Sequence, residues 1–135
     1  MTVAVAHQIS PAGPVALKEA AREASIRSTD LVVIHVTESF DLDTTEAHRG
    51  GLSDEIKKAL SDAGLGDVKW DLKMGTGEDV AATVLELAGD ADLLVIGARR
   101  RSPVGKFLLG SVTQTIILDA SIPVLVVKPQ VSSVS

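Results

Sequence analysis

The sequence predicts an α/β protein built on an open parallel sheet of five strands, with helices on both faces. Four short segments are almost wholly apolar, as strands buried on both faces must be: Val3–Ala6, Leu31–Val36 apart from His35, Leu93–Ile96 and Val124–Val127. A fifth, Val68–Met74, alternates, with Val68, Trp70, Leu72 and Met74 on one side and Lys69, Asp71 and Lys73 on the other, the pattern of a strand half exposed to water. Helical spacing fills the stretches between, and alternating strands and helices close right-handed crossovers onto a parallel sheet.

After the first strand, Val15–Ile26 carries an alanine-rich stripe of Leu17, Ala20, Ala21 and Ala24, suited to covering a sheet face. The second helix is predicted over Leu52–Ala63, with Leu52, Ile56, Ala59 and Leu60 inward and Gly64 as its left-handed stop. A third runs from about Asp79 to Ala88, with Thr76 and Asp79 placed to cap it, and a fourth follows Ser111 and ends before Pro123. The acidic run from Asp41 to Glu46 reads as a solvated loop. There is no internal repeat; residues 1–129 form one domain and Gln130–Ser135 a loose tail.

Composition narrows the function. The chain has 135 residues, 45% of them apolar and 23% charged, and no apolar run is long enough to cross a bilayer. No export signal precedes Val3, so a cytoplasmic protein is expected. The absence of cysteine excludes disulfides, thiolate metal sites and cysteine nucleophiles. A net charge of −5 argues against a nucleic-acid partner, which normally meets a basic face. His7, His35 and His48 lack the spacing of a metal site or of a nucleophile with its base; His7 alone is near the pocket expected beyond the carboxyl ends of the strands, where it either stacks on or hydrogen-bonds a ligand or is a satisfied loop histidine at a strand end, and His35 and His48 read as structural or solvent-facing. No catalytic constellation is visible, and an enzyme is not expected.

Ligands of open parallel sheets bind beyond the carboxyl ends of the strands. At one such end Gly97 closes an apolar strand, Arg99-Arg100-Arg101 follows, and Gly110-Ser111-Val112-Thr113 opens a helix. Glycines allow close backbone approach, and the free N–H groups of a helix start, with the hydroxyls of Ser111 and Thr113, attract phosphate. Ser111 and Gln114 also have the spacing of a capping box, which explains both without a ligand. The arginine triplet either steers a polyphosphate or offsets the acidic surface. Gly105-Lys106-Phe107 fails the Walker pattern, and Gly75-Thr76-Gly77 has Val80 where a dinucleotide fingerprint needs glycine.

Gly97, the loop, Leu108-Leu109-Gly110-Ser111-Val112-Thr113 and Ile122-Pro123-Val124-Leu125-Val126-Val127 together resemble the C-terminal signature of universal stress proteins. The resemblance extends from Val3 through Leu31–Val36 and Met74-Gly75, leaving only the tail outside. It implies a Rossmann-like sheet of strand order 3-2-1-4-5, a homodimer joined through Val124, Leu125, Val126 and Val127, and a nucleotide-responsive regulatory role with ATP or AMP as ligand. Against the ATP-binding motif of that family, Gly97 matches the first glycine and Gly110-Ser111 the end, while Arg100 replaces the second glycine. There Arg100 either blocks close approach or bonds phosphate. Ala6 stands where the family has an aspartate that meets the nucleoside, and Val36 matches a residue whose backbone meets adenine. The nucleotide-binding residues implied are Val36, Gly97, Arg99, Arg100, Gly110, Ser111, Val112 and Thr113. A dimeric interaction module without nucleotide is the alternative.

Overall fold

A computed structural model describes residues 2–7, 13–37, 45–98 and 110–128. The elements, in chain order, are β1 (Thr2–Ala6), α1 (Gly13–Ile26), β2 (Asp30–Thr37), α2 (Thr45–Asp62), β3 (Trp70–Thr76), α3 (Val80–Ala88), β4 (Leu93–Gly97), α4 (Ser111–Asp119) and β5 (Val124–Val127). The strands pair in the order β3-β2-β1-β4-β5, all parallel. The chain therefore builds outward from β1 to β3, returns, and builds the other half from β4, which places the reversal of strand order between β1 and β4.

Strand alternation divides the core into two layers. Val3 and Val5 of β1, Leu31 and Val33 of β2 and Val95 of β4 face α1 and α2, where Leu17, Ile56 and Leu60 are buried with them. Ala4, Ala6, Ile34, Leu94 and Ile96 face the other way, onto Val84 of α3 and Ile116 of α4. Each fully buried valine, leucine or isoleucine contributes roughly 1.5–3 kcal/mol. Ala16, Ala20, Ala21 and Ala24 of α1 are fully buried, and side chains this small let that helix lie close to β1 and β4.

The helix ends are made by local chemistry. Asp79 caps α3, its Oδ1 accepting from Ala82 N at 3.0 Å. At the end of α2, Gly64 has φ +75°, Leu65 N bonds Leu60 O at 2.8 Å and Gly64 N bonds Ser61 O at 3.1 Å, the paired closure of a Schellman motif. Residues 28 and 29 close α1 with the same bonds, Thr29 N to Ala24 O at 2.9 Å and Ser28 N to Ser25 O at 3.2 Å, but here the left-handed residue is Ser28, at φ 53°.

Two departures from the expected element boundaries have a clear physical cause. The second helix begins at Thr45, not Leu52, and runs through Gly50 and Gly51, so Thr45 and Glu46 belong to a helix and not to the acidic loop. Tandem glycine reads as a break, yet the extra turns are anchored: Arg49 donates to the carbonyl of Leu72 on β3 at 2.8 Å. The third strand lies two residues later, ending at Thr76, because Val36 and Thr37 of β2 continue to pair with Gly75 and Thr76. The remainder of the acidic run, Asp41–Thr44, and the tail Gln130–Ser135 lie outside the described residues.

Candidate functional site

Strand order reverses between β1 and β4, and open parallel sheets bind ligands beyond the carboxyl ends of the strands at such a switch point. Ala98 N bonds Val127 O at 2.8 Å, fixing the chain just beyond Gly97. Gly97 itself pairs with Val127, and Val36 pairs with Gly75 while packing half-buried against the second core layer. Arg99, Arg100 and the rest of the triplet lie outside the described residues.

At the start of α4 the capping-box reading is corrected. Gly110, extended at φ −67° and ψ 163°, is the N-cap, with no side-chain capping bond, and Ser111 is already helical. Gly110 O accepts from Gln114 N at 3.0 Å and Ser111 O from the Thr115 hydroxyl at 3.0 Å. A glycine cap offers no side-chain oxygen to the N–H groups of the first turn, so Ser111, Val112 and Thr113 present donors that the helix does not use. Their side chains diverge: Ser111 is exposed and Val112 half-buried, whereas Thr113 is buried beside Ile116 on the inward face.

Ser111 and Val112 line a cleft of about 420 Å³ with Glu78, Asp79, Val80, Ala81 and Thr115, so the N-termini of α3 and α4 open onto the same space. Asp79 is engaged with its own helix, and Glu78 is exposed. The turn leading into this cleft is tight. A Cβ at Gly77 would stand 2.5 Å from Thr83 Oγ1, and one at Gly75 2.9 Å from Leu87 Cδ1, so these glycines serve close packing and not a dinucleotide fingerprint.

Sequence reasoning singled out His7 but missed its pairing with His35. His7 follows β1 and His35 lies in β2; both are 4% exposed, with ring centroids 6.3 Å apart. Parallel register brings them together: Ala6 pairs with Ile34, so the next residue on each strand is a histidine. That signal was present in the sequence, one histidine directly after Val3–Ala6 and one following Ile34 within Leu31–Val36, and needed only the adjacency of β1 and β2. His7 N bonds Ile34 O at 2.8 Å, and His35 Nδ1 donates to His7 O at 3.2 Å. His7 Nδ1 is buried without a hydrogen-bond partner among the described residues. Burial lowers the pKa of His7; the Glu55 carboxylate partly opposes this, and His35 adds to it. Ala6, in the place of the family aspartate, turns its methyl into the second core layer.

Among the described residues no group of three or more His, Cys, Asp or Glu side chains could hold a metal ion, and no helix is long and apolar enough to cross a membrane.

A family model for the universal stress protein family matches residues 1–128. A curated universal stress protein of Mycolicibacterium smegmatis is 36% identical over 129 residues, covering 94% of this chain and 97% of its own length. Among solved structures, a universal stress protein in complex with cAMP superposes with a TM-score of 0.73 at 23% identity, covering 96% of this chain and 98% of the other. The universal stress protein of Archaeoglobus fulgidus in complex with dAMP superposes with a TM-score of 0.62 at 22% identity, over 93% of this chain and 94% of the other.

Proposed function

The chain belongs to the universal stress protein family, and from that premise we propose that it is a regulatory module that binds an adenine nucleotide, ATP or AMP, and acts by binding and not by catalysis. The observation that carries this reading is the glycine-capped start of α4, whose first-turn donors, unused by the helix, open onto a cleft shared with the start of α3. Phosphate belongs at Gly110, Ser111, Val112 and Thr113, with Gly97 allowing close approach, Arg99 and Arg100 adding charge and the Val36 backbone meeting the base. Two family structures of the same fold are named for complexes with cAMP and dAMP. Those ligands share adenine and a phosphate but no free sugar hydroxyl.

The working unit in this reading is a homodimer joined through β5. All four residues of β5, Val124, Leu125, Val126 and Val127, are half-exposed and apolar, and the strand is an edge. On the opposite edge Leu72, midway along β3, already bonds Asp71 Oδ1 through its N–H at 3.0 Å and Arg49 through its carbonyl, which interrupts pairing there.

The alternative, a dimeric interaction module without nucleotide, is favoured by one feature: Glu78 and Asp79 place carboxylates in the cleft that phosphate would approach. Heating the purified protein and identifying released small molecules by mass separates the two. Stoichiometric AMP or ATP supports the nucleotide reading, and an empty protein that also fails to bind either one contradicts it.

A further inference from the structure

The edge of the sheet at β3 is stopped at one residue from both sides. Leu31 N bonds Lys69 O, so by the alternation of the ladder the backbone groups of Trp70, Leu72 and Met74 point away from β2, toward the open edge. At Leu72, the middle of these, both groups are taken: the N–H donates to Asp71 Oδ1 at 3.0 Å and the carbonyl accepts from Arg49 at 2.8 Å. Water satisfies backbone groups at an open edge, so what the two bonds exclude is a further strand.

Behind those bonds the edge is self-complementary. In an antiparallel pairing with the β3 of a second copy, centred on Leu72, Leu72 faces its own counterpart, Trp70 faces Met74, and the exposed side chains of Asp71 and Lys73 face each other. Moving the centre by one residue, to Asp71 or to Lys73, sets like charges opposite one another. The register centred on Leu72 also lets that residue exchange both backbone bonds with its counterpart, and these are the N–H and carbonyl that Asp71 and Arg49 occupy. Lys73 is held only by an exposed bond of 3.4 Å to the Leu87 carbonyl.

Arg49 sits on a part of α2 that the core does not hold. Arg49, Gly50 and Gly51 are exposed, and among the described side chains of that helix the first buried one is Leu52. Nothing lies within 4 Å of a Cβ at Gly50 or Gly51, so neither glycine serves packing, and together they weaken the helix beside Arg49. Arg49 can therefore leave Leu72 without disturbing the buried residues of α2. We infer that β3 is a latent interface for a second copy of this chain, closed at Leu72 by Arg49 and Asp71 and opened by withdrawal of Arg49. It is independent of nucleotide and lies on the edge opposite β5.

Light scattering of the full chain at high micromolar concentration tests this. Arg49→Ala is expected to raise the mass toward twice that of the unmodified protein at equal concentration, whether or not β5 already joins two chains. Adding Lys73→Asp, which sets Asp71 against a second carboxylate, is expected to return the mass to that of the unmodified protein, and the further change Asp71→Lys, which swaps the pair, to restore the doubling. An unchanged mass in Arg49→Ala overturns the inference. So does a doubling that Lys73→Asp leaves intact, or one that the swapped pair does not restore. If Arg49→Ala does not fold, Arg49→Met keeps the stem of the side chain without its donors and carries the same test.

Discussion

His35 Nδ1 donates a hydrogen bond of 3.2 Å to the carbonyl oxygen of His7, 28 residues earlier in the chain. The bond takes up the carbonyl just beyond the first strand with a side chain from the second, and because a carbonyl only accepts, it puts a proton on Nδ1 of His35. His35→Ala removes that donor from a buried carbonyl and opens a cavity. It is expected to cost about 2 kcal/mol or more, read by chemical denaturation.

The neighbouring ring makes stability depend on pH with a definite sign. Burial lowers the pKa of His7 in the folded chain below its ordinary 6.5. Above pH 6.5 both folded and unfolded chains carry the neutral ring, and its contribution is constant. As pH falls below that value the unfolded chain takes up a proton that the folded chain resists, so stability is lost progressively until the folded pKa is passed. Thermal unfolding between pH 7 and pH 5 is expected to show Tm falling, and His7→Gln to flatten the fall. An identical pH dependence in both proteins contradicts the burial of His7 as its source.

The turn from β3 into α3 provides a test of packing. Thr83 cannot rotate away from a Cβ at Gly77 without giving up its 3.0 Å bond to Asp79 O, and a β-branched side chain has few rotamers to choose from. Gly77→Ala is expected to destabilise by about 1–3 kcal/mol. Most of the loss should be recovered in the Thr83→Ala background, measured as a double-mutant cycle.

Much of this architecture is legible in the residues, and what is not has identifiable causes. The apolar runs at Val3, Leu31, Leu93 and Val124 mark the strands because both faces of a parallel sheet are covered. The start of α2 is hidden because Gly50-Gly51 mimics a break, and what holds the helix beyond it is a contact from Arg49 to a distant strand. The N-cap of α4 is misassigned because Ser111 and Gln114 have capping-box spacing, while the chain places Gly110 in the extended conformation instead. The histidine pair depends on which strands are neighbours, a property of topology that local pattern does not carry.

Two surface changes are expected to stabilise the fold. Ser28 holds a left-handed conformation that costs a residue with a Cβ about 1 kcal/mol, so Ser28→Gly is expected to raise stability by about that amount. Gly50 lies within α2 with nothing inside 4 Å of where a Cβ would stand, and Gly50→Ala should add about 1 kcal/mol through helix propensity. Denaturant midpoints measure both.

Assembly through β5 predicts a dimer at micromolar concentration by light scattering. Leu125→Lys or Val127→Lys places a charge on that edge and is expected to give a monomer, folded or with a lowered Tm. A lysine variant that remains a stable dimer contradicts the β5 interface.

The central claim is that the start of α4 receives the phosphate of an adenine nucleotide, and calorimetric titration of AMP and ATP into the unmodified protein and into Gly110→Val tests it most directly. Gly110 is extended at φ −67°, a backbone that valine adopts, so the variant should fold while its side chain crowds the first-turn donors. Saturable binding to the unmodified protein and none to Gly110→Val is the predicted result; equal affinity in the two, or no binding to either, contradicts it.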